Sequence, residues 1–161
     1  MKRWRIWQIS LFVAFCILVN YGGRVLAAGY DLPLWLDAFG TVLCAYAGGP
    51  VCGAIVGLAS NIIYGMMNGI SYIYALTNMA MGLIVGFAAR RKRLDGVVDM
   101  MTVAVWTALA AVVISVPLNI IFYGGSTGNL WGDGVIDEVL SSGQYMAWYE
   151  EATARASALG L

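Results

Sequence analysis

Five strongly polar side chains stand within or beside apolar stretches of this chain, and their types suit the binding of a small molecule. They are Asn20, Asp37, Asn61, Asn78 and Asn119. Polar groups are costly inside a bilayer, so they usually face a bundle interior, a cavity or a binding site. An amide offers two donors and an acceptor, and a carboxylate accepts hydrogen bonds. The chemistry open to this set is therefore noncovalent recognition of a polar ligand.

Three of the amides share a helical face with a tyrosine, because residues three or four apart lie on one side of a helix. An aromatic ring with a polar tip adds flat apolar surface to the donors and acceptors of the amide. This mixture suits a small, flat ligand with polar edges. For each amide alone, interhelical hydrogen bonding is the alternative, worth about 0.6 kcal/mol on average. The pairs are Asn61 with Tyr64, Tyr74 with Asn78, and Asn119 with Tyr123.

One acid and two tryptophans have two interpretations each. Asp37 could bind a cationic or donating ligand group, with Arg24 as its possible partner, or it could sit at headgroup level in the first turn of a helix, where a negative charge is favoured. Trp35 and Trp131 are either interfacial anchors or lids that stack on the ligand. The candidate ligand-binding residues are Asn20, Trp35, Asp37, Asn61, Tyr64, Tyr74, Asn78, Asn119 and Trp131.

Catalytic and metal-binding patterns are missing from the sequence. It has no histidine, and its cysteines Cys16, Cys44 and Cys52 form no CxxC motif. We interpret these cysteines as small buried hydrophobic residues. No nucleophile has a neighbouring base, and no glycine loop suits a phosphate. We expect no enzymatic activity, no resident metal and no cofactor.

Composition predicts an integral membrane protein with the lipid bilayer as a partner. The chain has 161 residues, of which 61% are hydrophobic and 11% charged, whereas soluble domains carry about 25% charged residues. Residues 6–23, 38–89 and 100–132 contain no charged residue. A spanning helix needs roughly 20 mostly apolar residues. The uncharged runs therefore hold about five such segments.

Turn residues divide these runs into helices, which predicts an all-α, polytopic membrane helix bundle in residues 1–125. Tyr21-Gly22-Gly23-Arg24 ends the first helix and Gly48-Gly49-Pro50 the second, since glycine permits any backbone angle and proline cannot continue a helix. We expect Pro117 to kink the fifth helix. Residues 126–161 form a polar extracytoplasmic loop and a helical tail that cannot span. The predicted helices cover residues 6–22, 34–47, 51–67, 71–89 and 97–123.

Positive charge sets the predicted topology. Seven of the nine basic residues lie before residue 6 or at Arg90–Arg93, and short basic clusters beside apolar spans mark cytoplasmic loops more often than nucleic-acid sites. We therefore expect a multi-pass protein of the cell membrane with a cytoplasmic N-terminus and no nucleic-acid partner. This topology puts all five polar residues in the outer half of the membrane. Cleavage of the first apolar run as a signal peptide is the less favoured alternative.

Two segments resemble the substrate-specific (S) component of energy-coupling factor transporters, over most of residues 5–125. The first is Leu32-Pro33-Leu34-Trp35-Leu36-Asp37-Ala38-Phe39-Gly40-Thr41, continuing through Gly49-Pro50, Gly53, Gly57 and Asn61-Ile62-Ile63-Tyr64-Gly65. The second is Ala75-Leu76-Thr77-Asn78, followed by Gly82-xxx-Gly86.

This resemblance implies a bundle of six helices that captures a vitamin or similar micronutrient from outside. It also implies docking on a transmembrane scaffold subunit that two ATPase subunits drive. An outer-face placement carries over to Asp37, Asn61, Tyr64 and Asn78. Two departures stand out: Ser10-xxx-Ala14 replaces the usual alanine pair of the first helix, and we expect the sixth helix to be missing or truncated.

The sequence therefore predicts the substrate-capture subunit of a micronutrient importer, which binds a small-molecule substrate. The alternative is a membrane sensor module, in which the same bundle binds a small ligand and signals to a cytoplasmic kinase or phosphatase.

Overall fold

The described part of the chain is all α-helical in this computed structural model, and no strand occurs in it. The structure describes residues 5–30, 32, 36–69, 71–91, 94 and 96–123, together with positions 134, 137, 138, 141, 143 and 147. The predicted all-α helix bundle is confirmed. Short 3₁₀ turns, Leu36–Ala38 and Ser71–Ile73, lead into the second and fourth helices. The helices are α1 (Ile6–Gly29), α2 (Phe39–Gly48), α3 (Pro50–Asn68), α4 (Tyr74–Arg90) and α5 (Val97–Tyr123).

Four helical segments are long and apolar enough to cross a membrane, which supports the prediction of a membrane protein. They are Ile6–Gly29, Pro50–Asn68, Ser71–Arg90 and Val97–Phe122. The segment Leu36–Gly48 is shorter, and its ten-residue helix α2 rises only about 15 Å, half the thickness of a hydrocarbon core of about 30 Å. Large apolar side chains such as Leu18 and Val113 are exposed on α1 and α5, as expected of surfaces that face lipid.

Helix α1 continues to Gly29, so the predicted end near residue 22 is wrong. A Cβ atom on Gly23 would overlap the carbonyl oxygen of Leu36, which shows that this glycine allows the segment before α2 to approach α1 closely. Glycine has this packing role where the hydrophobic effect cannot drive helices together. The extra turns place Arg24 on a helix, whereas we had expected it in a loop.

The predicted turn between α2 and α3 is confirmed. Gly49 has φ +91°, a left-handed conformation that favours glycine, and Pro50 occupies the first turn of α3, where its missing N–H costs nothing. The Arg90 guanidinium lies against Gly49, with Nη2 2.8 Å from where a Cβ would stand. The turn and the last residue of α4 thus meet at one end of the bundle, which we call the Arg90 end.

Helices α3 and α4 form an antiparallel hairpin held by two pairs of glycines at i, i+4, Gly53 with Gly57 and Gly82 with Gly86. A Cβ on Gly57 would stand 2.5 Å from the carbonyl oxygen of Asn78, and one on Gly82 would stand 2.5 Å from the carbonyl carbon of Gly53. Gly86 packs in the same way on Pro50. Both glycine pairs let the two backbones approach closely, and this contact fixes which residues of α3 and α4 are neighbours.

The core contains two groups of buried apolar side chains. Cys16, Cys44 and Val56 are fully buried together, with Cys52 packed against them, and all three cysteines are free. Their interpretation as small hydrophobic residues agrees with this packing. The other group is Ala45, Val85 and Val103, which brings the first half of α5 onto α2 and α4.

By its internal contacts the chain separates into two compact units, Met1–Leu118 and Asn119–Leu161. The first unit holds α1 to α4 and most of α5, which continues through Pro117. The second begins with the last residues of α5. The predicted tail at 126–161 lies almost wholly outside the described residues.

Candidate functional site

The Asn20 side chain joins three helices of the first unit. Its Nδ2 donates to Thr41 Oγ1 and to Ser60 Oγ, each at 3.0 Å. Its Oδ1 accepts from the backbone N–H groups of Gly40 at 2.6 Å and Thr41 at 3.3 Å. Both donors and both acceptor positions of this fully buried amide are occupied. The geometry favours interhelical hydrogen bonding over ligand contact for Asn20.

Arg24 lies one turn further along α1 and contacts the α3–α4 connection. Its Nη1 donates to Ser71 Oγ at 2.9 Å, and its Cζ stands 4.9 Å from the centre of the Tyr64 ring. Asn68 supports Ser71, because its Nδ2 donates to Ser71 Oγ at 2.9 Å and its Oδ1 accepts from the Ser71 N–H at 3.0 Å. We call this part of the first unit, opposite the Arg90 end, the Arg24 end.

Asp37 is buried in the 3₁₀ turn before α2. The turn packs on α1 at Gly23, the residue before Arg24. Within the described part of the chain, however, no cationic nitrogen comes within 4.0 Å of the Asp37 oxygens. The structure therefore shows no ion pair between Asp37 and Arg24, and it places Asp37 in the first turn of a 3₁₀ helix, the position named in the other interpretation of the sequence.

Buried polar groups of α3 and α4 have no hydrogen-bond partner among the described residues. The hydroxyls of Tyr64 and Thr77 are two of them, and the 6% exposed Asn78 makes no side-chain hydrogen bond there either. Leaving a buried donor or acceptor unsatisfied costs about 1–3 kcal/mol. Most native proteins avoid this cost, so a concentration of such groups indicates a place where another molecule binds.

Asn61 and Asn78 lie at the contact between α3 and α4. Asn61 Nδ2 donates back to the Gly57 carbonyl at 3.0 Å, and Gly57 is the residue that packs on the Asn78 backbone. Asn61 therefore lies one turn from the point where α3 packs on the Asn78 backbone. Tyr64 lies one turn beyond Asn61, toward Arg24. Asn20, Asp37, Asn61 and Asn78 thus lie in the same half of the bundle, as the sequence predicts.

Four further predicted residues are not placed in this group. Tyr74 begins α4, is half-buried and already takes part in an interaction. Asn119 is buried but belongs to the second compact unit. Trp35 and Trp131 lie outside the described residues. Among the residues that the structure describes, no cluster of His, Cys, Asp and Glu could hold a metal ion.

Two hydroxyls and one aromatic ring of this region are not among the residues predicted from the sequence. Ser71 anchors Arg24, Thr77 supplies one unpartnered oxygen, and the Tyr21 ring lies 6.0 Å from that of Tyr64. Ser71 and Thr77 carry no distinctive signal, since small polar residues are common in membrane helices. Arg24 did carry a distinctive signal, because it is a lone basic residue beside an apolar run, and charges there are usually functional.

The arrangement combines one cation, one anion, amides, hydroxyls and aromatic rings, a set suited to noncovalent recognition of a small molecule. Comparison of the chain with protein-family models, curated proteins and solved structures finds no match.

Proposed function

We propose that this chain is the membrane-embedded substrate-capture (S) subunit of an energy-coupling factor importer. It binds a small micronutrient or vitamin-like molecule from the extracellular side. A transmembrane scaffold subunit and two ATPase subunits supply the energy for uptake. The resemblance of the sequence supports the family, and the buried polar groups at the Arg24 end support the presence of a ligand.

The observation that carries the proposal is the set of unpartnered polar groups on α3 and α4. The hydroxyls of Tyr64 and Thr77 and the amide of Asn78 are each more than nine-tenths buried. A ligand that hydrogen-bonds to all three offsets about 1–3 kcal/mol at each group. Binding sites for small molecules have this character, with a few polar groups placed in apolar surroundings.

Two features suit these groups to capture from outside. They lie at the Arg24 end, which the positive-inside rule predicts to be extracellular, because it is opposite the basic residues around Arg90. The contacts of Gly57 and Gly82 with the facing backbone also hold α3 and α4 together, which keeps Asn61 and Asn78 at a fixed separation. A preorganised site of this kind loses little entropy on binding.

The direct test is to identify what the full chain retains. The protein is purified in nanodiscs and denatured, and the released small molecules are identified by mass spectrometry. We expect one retained compound, and at least about tenfold less of it in Asn78→Leu and Asn61→Leu, since one hydrogen bond lost from a buried site is worth about 1–3 kcal/mol. Thr102→Val is the matched control, because Thr102 is exposed on α5 and bonds only its own helix. Retention unchanged in both Asn variants contradicts the proposal.

A second test concerns the partners. We expect the tagged full chain to purify from native membranes with a membrane scaffold and two ATPases, and uptake of the retained compound to require ATP. Association with a kinase or phosphatase instead, without uptake, would favour the sensor.

A further inference from the structure

Two opposite charges face the Arg24 end without pairing directly. The 3₁₀ turn that carries Asp37 packs on α1 at Gly23, the residue before Arg24, yet no nitrogen of Arg24 lies within 4.0 Å of an Asp37 oxygen. Desolvated opposite charges gain most when they touch, because their attraction grows as distance and dielectric constant fall. A ligand that contacts both charges would therefore bind more tightly than one that contacts either charge alone.

Arg24 is held in place while most of its donors remain open. A guanidinium has five N–H donors in one plane. Among the described residues, only Ser71 accepts from it. The Tyr64 ring covers a face of the guanidinium and leaves the donor-bearing edges open. Such an edge binds carboxylates with two parallel hydrogen bonds.

Asp37 offers the complementary group. Its residue is only 9% exposed, so water compensates its negative charge poorly, and the cation nearest to it in the described part of the chain is held away by Ser71 and Tyr64. A buried carboxylate normally has a hydrogen-bonded cation beside it. A donor with a positive charge would satisfy the Asp37 carboxylate.

We infer that the ligand of this site is a compact zwitterion, whose carboxylate binds Arg24 and whose ammonium or other cationic donor binds Asp37. This inference rests on the proposed function. The unpartnered groups of Tyr64, Thr77 and Asn78 then bind the polar edges of the part that joins the two charges.

The test uses zwitterions of graded length and their singly charged fragments. The probes are the straight-chain ω-amino carboxylates from β-alanine to 6-aminohexanoate, with 3- and 4-(aminomethyl)benzoate as flat members. Matched controls are the alkyl carboxylates, alkylamines, benzoate and benzylamine. Binding to the full chain, freed of retained ligand in nanodiscs, is measured by calorimetry. We expect at least one zwitterion to bind about tenfold more tightly than either of its fragments, the factor expected from one additional charge-assisted hydrogen bond.

Two substitutions test which residue binds each charge of the ligand. With Arg24→Gln, the zwitterion should bind no more tightly than the amine fragment, and the affinity for the amine should be unchanged. With Asp37→Asn, the zwitterion should bind no more tightly than the carboxylate fragment, and the affinity for the carboxylate should be unchanged. The unfolding temperature and gel-filtration profile of each variant show whether it folds. Should either variant fail to fold, the double variant Arg24→Gln, Asp37→Asn keeps the net charge, and it should bind zwitterion and fragments about equally.

The inference is overturned if no zwitterion in the series binds better than its fragments, or if both substitutions weaken all three probe classes equally. Its failure is distinguishable from failure of the proposed function. If the purified chain releases a neutral compound that is imported with ATP, the inference of a zwitterionic ligand is wrong, whereas the proposed function as a capture subunit is supported.

Discussion

The guanidinium carbon of Arg24 lies 4.9 Å from the centre of the Tyr64 ring. A cation over an aromatic face is worth about 0.5–1 kcal/mol when exposed and about 2 kcal/mol or more when desolvated. With the hydrogen bond from Arg24 to Ser71, this contact ties the end of α1 to α3 and to the turn before α4. The ring positions the cation, and the Tyr64 hydroxyl has no hydrogen-bond partner among the described residues.

Removal of the Tyr64 hydroxyl should separate binding from stability. We expect Tyr64→Phe to leave the ligand-free protein as stable as the wild type, or about 1 kcal/mol more stable, because the lost hydroxyl has no partner among the described residues. Retained ligand should fall, while the ring still supports Arg24. Reversible unfolding in mixed micelles and mass spectrometry of the released compound measure the two effects.

Two threonines provide a matched pair. Thr77→Val removes an unpartnered hydroxyl, whereas Thr41→Val removes one that accepts from Asn20. We expect Thr77→Val to be neutral in the ligand-free protein and Thr41→Val to destabilise it by about 1 kcal/mol. Equal destabilisation by both changes would show that Thr77 has a structural partner and would remove it from the site.

Asn20→Leu should be the most damaging single substitution of a polar residue. Four hydrogen bonds end on this side chain, and even at the membrane average of about 0.6 kcal/mol each, their loss exceeds about 2 kcal/mol. The hydroxyl of Ser60 and the N–H of Gly40 would also lose their partner. Unfolding measurements check this against Ser60→Ala, which removes a single bond. A cost no larger than that of Ser60→Ala would contradict the central role of Asn20.

Glycine substitutions should differ sharply with position. Gly57→Ala places a Cβ 2.5 Å from the Asn78 carbonyl oxygen, and we expect it to destabilise the protein by about 1–3 kcal/mol and to lower ligand retention. Gly22→Ala meets nothing within 4 Å and should stabilise α1 by roughly 0.5–1 kcal/mol. Gly23→Ala, one residue away, overlaps Leu36 and should behave like Gly57→Ala. Similar effects at Gly22 and Gly23 would argue against the close approach of Leu36.

Orientation is open to a labelling experiment. In a background with Cys16, Cys44 and Cys52 replaced by alanine, single cysteines are placed at Tyr30, beyond the Arg24 end, and at Arg91, at the other end. We expect an impermeant maleimide to label Tyr30→Cys in intact cells and Arg91→Cys only after lysis, since basic clusters stay in the cytoplasm. The opposite pattern would invert the topology and place the candidate site on the cytoplasmic side.

Helix boundaries were predictable where local sequence determines them. The bounds of α5 agree with the prediction at 97–123, because glycines flank a continuous apolar run. The end of α1 was predicted wrongly, because Gly22 and Gly23 look like a terminator. Only contact with Leu36, which is distant in sequence, shows that Gly23 is a packing residue.

The same distinction applies to the site. Charge and helix order were enough to predict that Asn20, Asp37, Asn61 and Asn78 lie in one half of the bundle. They could not distinguish Asn20 from Asn78, since each is a single amide in an apolar helix. The difference lies in partners 21 and 40 residues away, Thr41 and Ser60, which satisfy Asn20. Such partners are fixed by tertiary packing, which no local pattern records.

The partners of Asn20 all follow it in the chain, at Gly40, Thr41 and Ser60. During synthesis, α1 therefore reaches the translocon before any residue that can satisfy its amide, and an unsatisfied polar group in hydrocarbon costs several kcal/mol. Stable integration of the first helix is consequently coupled to the arrival of the second, which brings three of the four hydrogen bonds, and is complete only with the third.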